Sequence, residues 1–137
     1  MQQIDERTLQ TFSASLGRCN GSPAFVDRFY EIFLASSPKV KEKFAQTDFV
    51  QQKAALRASL DAMLLAVKDP AGPQQYLREL AERHSSRQLN ICAELYDLWL
   101  DSLLATVKEF DPVNGPAVQE AWEKVMMQGV SYLLSRY

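Results

Sequence analysis

Along most of the chain apolar residues return every three to four positions, and no stretch sustains the two-residue alternation of a half-buried strand, so the pattern predicts helices throughout. The first is expected from Asp5 to about Leu16, ending near the turn CNGSP. Ser22 and Pro23 then offer an N-cap and a first-turn proline to a second helix carrying Phe25, Val26, Phe29, Tyr30, Phe33 and Leu34, which stops at Ser36 and Ser37 before Pro38. PKVKEKF forms a short third helix ending in Phe44. The fourth starts around Asp48 and carries a stripe of Leu56, Leu60, Met63, Leu64 and Val67. Asp69, Pro70, Gly72 and Pro73 break the chain, and a short helix from about Gln74 to His84 is expected to return antiparallel. Asn90 is the predicted cap of a further helix holding Leu95, Tyr96, Trp99, Leu103, Val107 and Phe110, closed by Asp111 and Pro112. Asn114, Gly115 and Pro116 start the last, with Val118, Trp122, Met126, Gly129 and Leu133 on one face.

Composition narrows what such a chain does. At 137 residues it is expected to be a single domain, 1–137, long enough to bury a core without disulfide or metal staples. Cys19 and Cys92 fit free thiols. A formal net charge of -2, with cations scattered among acids, argues against nucleic acid or an anionic membrane as partner. The longest apolar run, Ala62 to Val67, is far short of the roughly twenty residues that cross a bilayer. MQQIDERTLQ has neither the basic start nor the apolar stretch of a signal peptide, so a cytoplasmic location is expected.

Two polar residues fall where the apolar stripes should continue. His84, the only histidine, ends a stripe of Leu77, Leu80 and Ala81, so its imidazole is expected to point into the core. Gln52 sits one turn before Leu56 on the stripe of the fourth helix, and the two helices could bring Gln52 and His84 face to face. Trp99, Trp122, Met126 and Met127, at helical spacing, read as core packing.

The residues that punctuate this all-α pattern carry a resemblance to the globin fold, about seven helices packed around a heme pocket. FVDRFYEIFLASSPKVKEKF resembles the second and third helices of bacterial globins, which places Tyr30 at the distal tyrosine and Phe44 at the phenylalanine packed against the heme face. QQKAALRASL resembles the start of the distal helix, with Gln52 at the distal polar position and Leu56 one turn on. LRELAERHSSRQLNI and LYDLWLDSLLATVKEF resemble the proximal region of flavohemoglobins and globin-coupled sensors, with His84 as the iron-ligating histidine, thirty-two residues after Gln52.

The resemblance implies heme b (iron protoporphyrin IX), five-coordinate through His84, binding O2, CO or NO on the open side. The ring N–H of His84 then needs an acceptor, and the Leu80 carbonyl one turn back is the expected one. A phenolic O–H from Tyr30 would donate to a bound gas that takes up negative charge, with Gln52 giving a second bond or holding the phenol in place. Met126 is expected to touch the heme edge, and Arg83, Arg87 and Lys53, which flank the pocket residues, are candidate partners of its propionates.

Flavohemoglobins pair their proximal histidine with a tyrosine, to which Tyr96 corresponds, and with a glutamate of the last helix. Here the last helix ends in SYLLSRY, with no acid in its final two turns. Without that carboxylate the histidine gives less electron density to the iron, and reversible binding for gas sensing, storage or handling is expected over oxidative turnover. Two alternatives stand beside it: a nitric oxide dioxygenase served by an external reductase, and a heme-free globin-like signalling module. A sensor role would call for a signalling partner in trans, and sensor globins suggest a homodimer through the two C-terminal helices.

Overall fold

The computed structural model describes residues 4–68 and 74–137. These form seven helices and no strand: α1 (Glu6–Asn20), α2 (Ala24–Ser36), α3 (Pro38–Lys43), α4 (Phe49–Lys68), α5 (Gln74–His84), α6 (Ala93–Phe110) and α7 (Pro116–Ser135). The all-α expectation is borne out; the break expected at Asp69, Pro70, Gly72 and Pro73 lies outside the described residues. No helix among those described is long and apolar enough to cross a membrane.

Most helix ends follow local chemistry. Asp5 caps α1, accepting from the Thr8 N–H at 2.7 Å. Ser37, extended as a residue before proline must be, ends α2 and caps α3 through its hydroxyl. Asp48 caps α4, its carboxylate accepting from the Val50 N–H and its carbonyl from Gln52.

Three boundaries differ from expectation. α1 continues four residues past Leu16, because Cys19 is buried against the core and holds the extra turn in place. Pro23 occupies the N-cap position of α2, and it is the carbonyl of Ser22, not its hydroxyl, that accepts from Phe25. Asn90 does not cap α6. It takes a left-handed φ of 54°, which asparagine tolerates better than most residues, and its N–H closes the preceding loop onto the Ser85 carbonyl at 2.8 Å; Cys92 stands at the N-cap.

α2 packs on α6, α1 lies along α7, and α6 packs on α7. Phe12, Phe25, Phe29, Leu103, Trp122 and Met126 are fully buried between them together with Leu60 of α4, with Phe12 edge-on to Trp122 at 4.8 Å. A polar tie crosses this core: Trp122 Nε1 donates to Ser15 Oγ (2.8 Å), Ser15 donates to Asp111 (2.6 Å), and Arg18 grips the same carboxylate with two N–H groups (2.7 and 2.9 Å). A second, smaller apolar cluster gathers Leu80, Ala81, Tyr96, Val130 and Leu133. The candidate site is the space between the two clusters.

Candidate functional site

Between those clusters lies a cavity of about 280 Å³, close to the lower end of the roughly 300–1,000 Å³ usual for small-molecule sites. One wall comes from α2, α3 and α4, with Tyr30, Phe33, Phe44, Gln52 and Leu56; the other comes from α5, α6 and the C-terminal end of α7, with Leu80, His84, Tyr96, Trp99, Val130 and Leu133. Seven of the eight residues expected at the site therefore share one cavity.

On the first wall Tyr30 is almost fully buried, its ring edge-on to Phe29, Phe44 and Phe49. Burial pushes its phenol up to about 12, against the opposing pull of the Gln52 hydrogen bond, so it is a neutral O–H at neutral pH. The Gln52 side-chain amide donates to this hydroxyl at 3.1 Å. The hydroxyl's own proton faces only the Gln52 backbone oxygen at 3.4 Å, longer than a normal O–H···O bond, which leaves it free to turn into the cavity.

On the opposite wall His84 is the last residue of α5, placed there by the burial of Leu77, Leu80 and Ala81 on the same stripe. Its Nδ1 lies 2.9 Å from the Tyr96 hydroxyl. The partner expected from sequence was the Leu80 carbonyl. That carbonyl belongs to the helical ladder of α5, whereas α6 brings a phenol alongside the ring. Burial, and secondarily the Arg83 charge, pull the imidazole down to about 4, so the ring is neutral. Burial pushes the Tyr96 phenol well above the usual tyrosine range, so this pair carries no charge at neutral pH. Nε2 has no hydrogen-bond partner among the described residues.

Met126 is the exception among the expected residues. It is fully buried in the main core and does not line the cavity. The stripe it shares with Val118, Trp122 and Leu133 runs along a 20-residue helix about 30 Å long, so only one end can face the site. Val130 and Leu133 take that place. Of the expected carboxylate partners, Arg83 lines the cavity, while Lys53 is paired with Asp27 and Arg87 with Glu82 away from it. Lys43 and Trp99 also line it, the second of them a residue the helical spacing assigns to packing. Trp99 falls one turn after Tyr96 on the same face of α6, which is the signal that could have found it.

This donor set suits a metal carried by a flat macrocycle. No group of three or more metal-ligating side chains exists among the described residues, so the protein alone offers no cage for an ion. It offers instead one neutral imidazole with an unpaired nitrogen, aromatic and aliphatic walls, and an opposed hydroxyl. Were such a group to sit here, His84 would be the side chain to hold its metal, with Phe44, Leu56, Tyr30 and Gln52 on the wall across the cavity. The residues present fit a heme.

Comparison with known proteins agrees with that geometry. No curated protein sequence matches the chain. Among solved structures it is similar to the protein PA3967 from Pseudomonas aeruginosa PAO1, described as structurally highly homologous to a human hemoglobin: identity is 40% over 95% of this chain and 98% of that one, with a TM-score of 0.89. The Globin family model matches residues 27–133, from α2 to near the end of α7 and hence both walls of the cavity, and on these grounds the chain belongs to the globin family.

Proposed function

We propose that the protein holds heme b between His84 and Tyr30 and binds a diatomic gas reversibly. The observation that carries this reading is the opposition, across one cavity, of a neutral imidazole with an unpaired Nε2 and a buried neutral phenol whose proton is held only by a long, 3.4 Å contact. When bound, the heme supplies an iron with one coordination position open to O2, CO or NO. The chain supplies the rest. With Nε2 given to the iron the ring proton sits on Nδ1, where the Tyr96 hydroxyl, 2.9 Å away, accepts it and fixes the ring's orientation. Gln52 donates to the Tyr30 oxygen and holds the phenol in place, and the phenolic proton can exchange its long contact with the Gln52 carbonyl for a ligand that gathers negative charge. The partner of Nδ1 is a neutral phenol, which makes the imidazole a weaker electron donor than a carboxylate partner would, and this favours reversible binding over nitric oxide dioxygenation.

The absorption spectrum of the protein with hemin tests the axial assignment. An intense Soret band is expected in the wild type, lost or strongly shifted in His84→Gly and restored when imidazole is added; an unchanged band in that variant removes His84 from the iron. On the other wall, Tyr30→Phe is expected to raise the O2 dissociation rate by about ten- to a hundredfold, the equivalent of a charge-assisted hydrogen bond of about 1.5–3 kcal/mol. CO release should change far less. Equal O2 release from variant and wild type would remove Tyr30 as the donor.

A further inference from the structure

An exposed ammonium group joins two of the segments that line the cavity. Lys43, at the end of α3, sends its Nζ to the carbonyls of Leu89 (2.7 Å) and Asn90 (3.3 Å), on the loop between α5 and α6. Phe44, beside it in sequence, belongs to one wall, and the loop follows directly from His84 on the other, so this lysine ties the two walls together. The loop's other hydrogen bonds among the described residues come from its own side, while Ile91 packs against both apolar clusters. Its Leu89, Asn90 and Ile91 N–H groups bond back to Arg83, Ser85 and His84, and Tyr137 holds Ser86 and Asn90.

Lys43 and Arg83 both line the cavity, and neither has an acidic partner among the described residues. Neutral carbonyls are weaker acceptors for an ammonium than a carboxylate is, because the ionised oxygen adds charge to the bond. A ligand bringing carboxylates to these cations would therefore draw Lys43 off the loop. We infer that Lys43 is an exchangeable latch: without ligand it pins the α5–α6 loop to the end of α3, and on loading it transfers to a carboxylate of the incoming macrocycle, with Arg83 beside it. The second half rests on the heme reading above; the first does not.

Hydrogen exchange and hemin transfer on the full chain test the two halves separately. Without heme, Lys43→Met should speed exchange of the Leu89, Asn90 and Ile91 amides by about three- to tenfold, the weight of one ordinary hydrogen bond, and Lys43→Arg should not. With heme, Lys43→Met should release hemin to an excess of a scavenging protein about three- to tenfold faster, yet leave release of hemin dimethyl ester, which has no free carboxylate, unchanged. Unaltered amide exchange in Lys43→Met overturns the latch. Equal acceleration for hemin and its ester, or none for either, overturns the transfer to a carboxylate. A wild type that takes up no hemin defeats the heme reading while the exchange comparison still decides the latch.

Discussion

The imidazole of His84 leans on a phenol, and a phenol holds its proton. Because burial pushes the Tyr96 hydroxyl above its usual range, the Nδ1 bond joins two neutral groups. In the heme-loaded protein, where Nε2 is on the iron and the proton is on Nδ1, Tyr96→Phe takes its acceptor away and leaves a half-buried N–H to water. The expected outcome is a weaker bond from His84 to the iron, read as a lower iron–histidine stretching frequency by resonance Raman, together with faster loss of hemin; an unmoved stretch would mean that Tyr96 only fills space. At this scale sequence was informative where a polar residue broke an apolar stripe. His84 and Gln52 stood out for that reason, and both line the cavity. It was silent on Nδ1, since Leu80 is near in sequence whereas Tyr96 reaches the ring only through the packing of another helix. Lys43 was hidden for the same reason: within KVKEK nothing marks it from Lys39 or Lys41, and its partners lie 46 and 47 residues away.

α4 and α7 meet where Gly129 leaves room for a neighbour. A Cβ there would lie 2.9 Å from Met63 Cε and 3.1 Å from its sulfur, so the absent side chain of one helix seats the flexible side chain of the other. Met63 also lines the cavity, which links this crossing to the site. Gly129→Ala should be tolerated, since the tip of a methionine can swing aside and alanine favours the helix. Gly129→Leu should cost about 1–3 kcal/mol by overpacking. Urea unfolding checks this, and Met63→Ala in the Gly129→Leu background should recover part of the loss. Helix positions were legible because their periodicity is long, and the starts of α4 and α7 because Asp48 and Pro116 leave little choice. The end of α1 and the start of α6 were not. Burial of Cys19 overrode the expected stop near Leu16, and Asn90 was needed to turn the loop instead of capping the helix.

The whole molecule is held in register far from the cavity by one carboxylate. Asp111, at the end of α6, takes bonds from Arg18 and Ser15 of α1 and from the Val113 N–H that leads to α7, while Trp122 joins through Ser15. The Arg18 hydrogen bonds hold it down at about 2, below the 3.8 of a free aspartate. A carboxyl depressed on folding stabilises the protein above its unfolded value, and that contribution disappears as pH falls through the folded one. Stability should therefore drop between about pH 4 and 2, by about 1–2 kcal/mol at this group once the contact of Arg18 with water is allowed for. Asp111→Asn should flatten that part of a pH series of thermal melts, with the heme spectrum unchanged near neutrality. None of this hub was anticipated from the sequence, because its members are about a hundred residues apart and each reads alone as an ordinary surface or core residue. At the opposite edge, Tyr137 holds Ser86 through its carbonyl and Asn90 through its hydroxyl, within the loop that follows His84. Tyr137→Phe takes the hydroxyl's hold away from Asn90 while leaving the backbone carbonyl on Ser86, and so loosens the stretch next to His84 from the C-terminal side without touching any residue that lines the cavity.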